Sequence, residues 1–250
     1  MRIGPVWISE YTLALWLGIG LAMIWLAWAA PRYGIAYKVW SRWAVVAALT
    51  AVIAGRAGYV LLHEAYFRQN PTAVWHLRQT PGIHGSSAAA GVLMLGLLSM
   101  RRSPHRLSAL LVVLGSASLY VAAGAWLGCL HTGCAWGQEV TPMALPVWAR
   151  WTTAHLHDLY RISADRYAVQ ALGACWALAL AALAVLWPSV RLWVFPIYLV
   201  GQAALALLRA DPVSKIADLR GDMVLDVVLA GGWAIAAALC GRRALGKTSS

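Results

Sequence analysis

Charged residues are scarce in this chain: Asp, Glu, Lys and Arg make up 12% of its 250 residues, against about 25% in ordinary soluble domains. Hydrophobic residues make up 61%, and they fall in blocks of about 20, the length that crosses roughly 30 Å of hydrocarbon. The blocks are rich in Ala and Leu and do not alternate with period two, which argues against strands. We therefore predict an all-α integral membrane protein with a single transmembrane domain, residues 1–250.

The apolar blocks predict seven spanning helices. They cover about residues 10–30, 41–63, 85–100, 107–128, 167–188, 190–209 and 222–240. The first block is too long for a cleavable signal segment, so we expect it to be retained. The third is short, and its Ser-rich start is expected to be buried in protein. Two longer loops, about 64–84 and 129–166, are expected on the outer face, the first of them partly helical.

Acidic residues are scarcer than basic ones, with nine Asp and Glu against 20 Lys and Arg. Ten basic residues gather in alternate loops and the tail: Arg32, Lys38, Arg42, Arg101, Arg102, Arg106, Arg191, Arg242, Arg243 and Lys247. No acid lies among them, so this side is predicted to be cytoplasmic, with the amino terminus outside and the carboxy terminus inside. A multi-pass protein of the plasma or inner membrane explains the charge of +11 without a nucleic-acid partner.

Cysteine is also rare, with four residues. Cys129 and Cys134 flank His131, but the spacing fits no standard zinc pattern. A Cys129–Cys134 disulfide is compatible with the oxidising side of a membrane, and three interpretations stay open: a metal site, a disulfide and packed free thiols. Cys175 and Cys240 are predicted to lie in helix cores. We predict no metal and no cofactor.

One arginine, Arg56, lies within the second predicted span. It is about seven residues, or roughly 10 Å, from the outer end. A charge at this depth is costly unless it snorkels, pairs or faces a wet cavity. Asp226, at a similar depth in the last span, is the expected partner. Gly55 and Gly58 beside Arg56 would permit close approach by another helix or a lipid headgroup.

A histidine, His84, immediately precedes the third predicted span. Ser86 or Ser87 is expected to cap that helix, whose free N–H groups and positive dipole end favour an anion such as phosphate. A neutral imidazole there would accept a proton or donate to a phosphate oxygen. A purely structural histidine is equally compatible with the pattern. For Tyr11, residue type favours an interfacial anchor over a hydrogen-bond donor in a site.

Several stretches resemble the prolipoprotein diacylglyceryl transferase family. IGPVWISEY (3–11) is similar to its IGP-x-x-I-x-x-Y start, GRAGYVL (55–61) to its GARLGYVL run and EAYFRQNP (64–71) to its YF-x-x-NP loop. GIHGSSAAAG (82–91) stands where the family has SFHGGLLG, which places His84 on the family's functional histidine. GAWLGCLHTGCAWGQEVT (124–141) resembles GRIGNFINGELYGRPT. Beyond residue 140 the likeness is faint, in DRYAVQAL (165–172), similar to HPTQLYE, and LLRADP (207–212), similar to the arginine-containing end of the sixth helix.

The resemblance implies a seven-helix membrane enzyme. Such enzymes move the diacylglyceryl group of phosphatidylglycerol onto the cysteine thiol of a prolipoprotein signal peptide, and glycerol phosphate leaves. We therefore expect a cavity at the outer leaflet, lined by the second, third, fourth and seventh spans. The candidate catalytic residues are His84 and Arg56. The candidate substrate-binding residues are Tyr11, Tyr59, Gly85, Ser86, His131 and Arg209.

The departures from the family pattern leave activity open. Trp126 stands at the family's arginine, Cys129 at its asparagine and Cys134 at its glutamate; Gln202 and Ala206 stand where an arginine and a glutamate are expected. Losing cationic groups removes transition-state stabilisation, for which Arg56, His84, Arg209 and Arg220 are hypothesised to substitute in part. Three interpretations follow. They are a divergent transferase, a non-catalytic relative that binds phospholipid or a membrane partner, and an enzyme of altered chemistry that uses Cys129, His131 or Cys134.

Overall fold

A computed structural model of the chain describes residues 2–3, 6–7, 9–76, 82–99 and 104–245, with side chains described for 9–76, 82–98 and 107–239. The sequence predictions that concern Gly4, Pro5, residues 77–81, Arg101, Arg102 and Lys247 lie outside these ranges. The helices are α1 Glu10–Arg32, α2 Tyr37–Leu62, α3 Glu64–Gln69, α4 Gly85–Ser99, α5 Pro104–Thr132, α6 Val169–Leu186, α7 Val194–Ala206 and α8 Gly221–Leu245.

Each predicted span contains one apolar α-helix. Within the described residues, five helices (α1, α2, α5, α6 and α8) are long and apolar enough to cross a membrane. The other two, α4 and α7, are apolar but have only 15 and 13 residues. At 1.5 Å per residue, α7 extends about 20 Å, less than the hydrocarbon thickness. The chain is therefore a multi-pass helical membrane protein.

The loop between α5 and α6 contains a β-hairpin that the sequence analysis did not predict. Strands β3 Thr153–His157 and β4 Ser163–Tyr167 pair antiparallel. Arg166 of β4 is buried, and it donates to Glu139 at 2.9 Å and to Asp158 at 3.4 Å. Shorter pairs form between β1 Arg2–Ile3 and β2 Val6–Trp7, and between β5 Lys215–Ile216 and β6 Leu219–Arg220. The sequence analysis placed a loop here, and within it the hairpin is held by ion pairs between residues far apart in the sequence.

Helix α5 lies at the centre of the helical core. Its Gly124 meets Gly18 of α1 so closely that a Cβ on Gly18 would lie 2.5 Å from the carbonyl oxygen of Tyr120. Small residues of this kind let helix backbones approach each other in lipid. Helices α6, α7 and α8 pack on other faces of α5, while α2 packs chiefly on α4. The α2–α4 pair carries both Arg56 and His84.

At the basic end of the bundle, the buried Arg191 joins α6 to α1. Its side chain is 7% exposed. Nε donates to the carbonyl oxygen of Ala184 at 2.6 Å, and Nη1 donates to the hydroxyl of Tyr33 at 3.2 Å. The guanidinium also lies 5.5 Å from the ring centroids of Trp25 and Trp28. In the sequence, Arg191 was interpreted only as one of the basic residues that set the orientation in the membrane. In the structure it also donates to the carbonyls at the end of α6.

Replacing Arg191 with Ala should lower the stability of the helical bundle. The variant leaves a buried helix end without its donor, and we expect a loss of about 2 kcal/mol or more. The measurement is the midpoint of thermal unfolding in detergent. Arg32→Ala is the control, because Arg32 is exposed and its bond at 2.5 Å goes to Trp28 in its own helix. Equal losses in both variants would contradict the capping role.

Candidate functional site

His84 caps the amino terminus of α4. Its carbonyl accepts from the N–H of Ala88 at 3.0 Å, and its own N–H donates to the carbonyl of Gly55 in α2 at 2.9 Å. On the side chain, the N–H of Ser87 reaches Nδ1 at 3.3 Å and the Ser87 hydroxyl lies 2.8 Å from the same nitrogen. The prediction of a serine cap was therefore wrong. The helix begins at Gly85, two residues too early for Ser86 to serve as the cap.

These contacts fix the tautomer of His84. A backbone N–H can only donate, so Nδ1 accepts and the ring proton lies on Nε2. Burial lowers the pKa of His84 from 6.5 to about 4; Asp222 opposes the shift, and Arg209 and His63 add to it. At neutral pH the imidazole is therefore uncharged. It offers one Nε2–H donor beside the first turn of α4.

Glycines bring α2 close enough to position His84. A Cβ on Gly58 would lie 2.0 Å from the hydroxyl oxygen of Ser87, and one on Gly55 would lie 3.2 Å from the carbonyl oxygen of His84. On α4, a Cβ on Gly91 would lie 2.4 Å from Ala54. Gly85 differs, because a Cβ there would meet no atom of the described residues within 4 Å. The close approach that the sequence predicted at Gly55 and Gly58 is thus made by helix α4. Next to Gly85, the first residue of α4, the described residues leave open space.

Arg56 holds the chain segment that leads to His84. It is 7% exposed, and its Nε donates to the carbonyl of Val74 at 2.9 Å, Nη2 to Ala73 at 2.7 Å and Nη1 to Gly82 at 3.2 Å. The predicted pairing with Asp226 was therefore wrong. The 3₁₀ turn Pro71–Val74 ends in carbonyls that need donors, and Arg56 supplies them.

Two arginines and two aspartates form an ion cluster beside His84. Arg209 Nη2 lies 2.6 Å from Asp211 Oδ2, and Arg209 Nη1 lies 3.0 Å from Asp222 Oδ2. Arg220 Nη2 completes the ring at 3.0 Å from Asp222 Oδ2 and 3.3 Å from Asp211 Oδ1. The cluster has no net charge, and both Arg209 and Asp222 act electrostatically on His84. It lines the site with balanced charges and presents no bare cation.

A further polar group lies deeper, between α4, α7 and α8. The hydroxyl of Ser86 donates to Asp226 Oδ1. Tyr198 lies within electrostatic range of Asp226 and Arg209, and its hydroxyl accepts from Trp126 Nε1 at 3.2 Å. These side chains join the mouth of α4 to the buried faces of α5, α7 and α8.

In a comparison with protein-family models, the prolipoprotein diacylglyceryl transferase model matches residues 1–237. The chain belongs to the prolipoprotein diacylglyceryl transferase family. Comparison with curated proteins gave no match. At family level this supports a transferase function in lipoprotein biosynthesis, with lipid and lipoprotein substrates in a membrane.

The positions that depart from the transferase pattern have structural roles of their own. The ring of Trp126 packs so closely on α6 that a Cβ on Gly173 would lie 2.5 Å from it. Cys129 and Cys134 form a disulfide. Gln202 is 8% exposed, and its Nε2 has no hydrogen-bond partner within the described residues. Ala206 is buried on the same face of α7.

The disulfide decides between the three interpretations of the outer cysteines. It uses the two thiols that a metal would need, and no group of three or more potential metal ligands occurs in the described residues. The metal and free-thiol interpretations were therefore wrong, and so is a nucleophilic role for either thiol in this form of the protein. Cys175 is exposed, not in the core as predicted, because the buried face of α6 runs through Gly173, Ala174 and Ala177.

The predicted site residues of this family member separate into two groups. Arg56, Tyr59, His84, Gly85, Ser86 and Arg209 lie around the mouth of α4; Tyr59 stacks on His63 at 4.1 Å, and a Cβ on Gly82 would lie 2.3 Å from its ring. Tyr11 instead packs against Gly128 of α5. His131 is exposed and lies 3.6 Å from Glu10. No contact within the described ranges links these two residues to His84.

Several residues at this site were not predicted as site residues: Ser87, Tyr198, Asp211, Asp222 and Asp226. A signal for the aspartates was present, because Asp211, Asp222 and Asp226 lie near Arg209 and Arg220 in a sequence with few acids. The sequence contains no comparable signal for Tyr198.

Gly58→Ala should displace α4 and destabilise the protein. The added methyl group would overlap the side chain of Ser87, and the two helices would have to separate. We expect a loss of about 1–3 kcal/mol, measured as a lower midpoint of thermal unfolding. Gly20→Ala is the matched control, since a Cβ there meets nothing within 4 Å. A tolerated Gly58→Ala would show that the contact is not needed.

The lowered pKa of His84 predicts how stability depends on pH. The folded pKa of about 4 lies below the unfolded value, so His84 contributes nothing unfavourable above pH 6.5, and stability is lost as pH falls from 6.5 toward 4. At pH 5 the loss should be roughly 1–2 kcal/mol. His84→Asn, which retains a capping side chain, should lose less between pH 7.5 and 5. Parallel losses in the two proteins, followed by thermal unfolding, would contradict the shift.

Proposed function

We propose that the protein transfers the diacylglyceryl group of phosphatidylglycerol to the cysteine thiol of a prolipoprotein signal peptide, in the plasma or inner membrane. The observation that carries the proposal is the neutral Nε2–H donor of His84, placed at the mouth of α4 beside the open space at Gly85. The family match over residues 1–237 supports the same reaction.

The reaction requires stabilisation of charge on the departing phosphate. The thiol loses its proton, the sulfur attacks the glyceryl carbon, and the carbon–oxygen bond to phosphate breaks. Glycerol phosphate leaves with the electron pair and takes up the proton that the thiol released. The first N–H groups of an α-helix have no intrahelical acceptor, so those of Gly85 and Ser86 are suited to the phosphate oxygens. His84 Nε2–H would add a third donor to the same oxygens.

Cations contribute indirectly in this proposal. Arg56 acts as a positioning residue, because it bonds Gly82 two residues before His84. Arg209 and Arg220 are shared with two aspartates, so they set the local potential without offering a free clamp. Ser87 is also a positioning residue, because its backbone N–H donates to Nδ1 of His84 and so keeps the ring proton on Nε2.

We further propose that seven helices cross the membrane, with the amino terminus outside and the carboxy terminus cytoplasmic. These helices are α1, α2, α4, α5, α6, α7 and α8. Basic residues at one end and the Cys129–Cys134 disulfide at the other support this orientation. The lipid substrate would then enter sideways from the outer leaflet, between α2, α4, α5 and α8.

A non-catalytic relative that binds phospholipid is the second candidate. Trp126 favours it, because this residue stands at the position of a family arginine and donates to Tyr198 instead of facing an anion. Gln202 favours it too, since a neutral amide stands where the family pattern has another arginine.

The deciding experiment is a transfer assay in phosphatidylglycerol vesicles with a peptide that carries a lipoprotein-type cysteine. We expect diacylglyceryl-modified peptide from the natural protein and a loss of about 100-fold or more with His84→Ala, the range for removing a positioned proton donor. His131→Ala is the control, since His131 is exposed and lies elsewhere. Absence of product, with phosphatidylglycerol still bound, would replace the transferase with the lipid-binding relative.

A further inference from the structure

The amino terminus of α2 has excess positive charge. Its cap residue, Ala36, makes no side-chain cap bond, and no acid lies in the first turn. Instead the helix begins with Lys38 and Arg42, four residues apart and both exposed. Cations at a helix amino terminus oppose the dipole, and like charges at this spacing repel. Neither forms an ion pair within the described residues, so the helix start lacks an anion.

These two cations border a groove between α2 and α4. The groove has a volume of about 460 Å³ and is lined by Lys38, Val39, Arg42, Trp43, Val46 and Leu95. The α2 residues follow helical spacing, so they form one face. That face has a cationic rim and an apolar wall, and Leu95 of α4 forms the opposite side. An anion alone would use only the rim, whereas an anionic amphiphile would use both.

We propose that this groove binds an anionic phospholipid, with its phosphate on Lys38 and Arg42 and an acyl chain along Val39, Val46 and Leu95. Charge complementarity identifies the occupant, because two exposed cations beside an apolar wall match a phosphate joined to an acyl chain. The site is separate from the His84 site, because Lys38 and Arg56 lie roughly 27 Å apart along α2. It does not depend on the transferase proposal.

A lipid in this groove would contact both members of the α2–α4 pair. Helix α2 packs chiefly on α4, and near its basic end Trp40 also packs on the core cluster of α1 and α5. The bound lipid would supply the missing counter-charge at the start of α2 and add apolar contact with Leu95. We therefore expect anionic lipid to stabilise the fold.

The test measures thermal unfolding in neutral detergent and compares proteins that share the same His84 site, so that any lipid binding there contributes equally to each. Short-chain phosphatidylglycerol should raise the unfolding midpoint. Phosphatidylcholine and free glycerol phosphate should do so far less. In the Lys38→Gln/Arg42→Gln variant, the phosphatidylglycerol concentration for half of this effect should rise about tenfold or more, as for the loss of two charge-assisted contacts.

The matched control is Arg68→Gln/Arg161→Gln, which removes the same charge from exposed positions elsewhere. This control should keep the response of the parent protein. If both double variants weakened the response to phosphatidylglycerol equally, the response would come from general attraction between the basic protein and the anionic lipid. That result would overturn the proposed site. Equal protection by glycerol phosphate would overturn the lipid assignment. Leu95→Ser keeps both cations and should also weaken the lipid response, so it tests the groove even if the double variant fails to fold.

Discussion

The close contact between α2 and the start of α4 is the constraint on which the site depends. In lipid, apolar side chains give helices little reason to prefer one another over the solvent, so association relies on close packing and hydrogen bonds. Gly58 leaves room for Ser87, and the carbonyl of Gly55 accepts from His84. One turn of α2 therefore fixes the position of the imidazole, and Arg56 in the same turn fixes the segment that precedes it.

The ionisable groups around this contact are balanced against one another. Buried charges are costly in a low-dielectric interior unless they are paired. Arg209 and Arg220 meet Asp211 and Asp222, and a neutral His84 lies beside them. These four described side chains therefore present balanced charge, and the neutral His84 beside them presents an oriented donor.

The lengths of the hydrophobic blocks predicted where the helices lie, because the thickness of the bilayer sets the length of an apolar segment that crosses it. The hairpin of β3 and β4 was missed, since its stability comes from Arg166 and its distant partners Glu139 and Asp158. His84 and Arg209 could be found as site candidates from residue type and the family motifs. The partner of Arg56 could not, because depth along a helix identifies Asp226, whereas backbone carbonyls leave no mark in the sequence.

Arg56 and Arg191 show why an arginine within an apolar segment needs the structure for its interpretation. Both are buried, and both donate to backbone carbonyls at the end of a helix or turn. One had been a candidate catalytic residue and the other a topological charge, yet their contacts are alike. A guanidinium committed to carbonyls is not available as a phosphate clamp. Among the described residues, the mouth of α4 therefore offers oriented N–H donors, and the arginines beside it are committed to carbonyls or to aspartates.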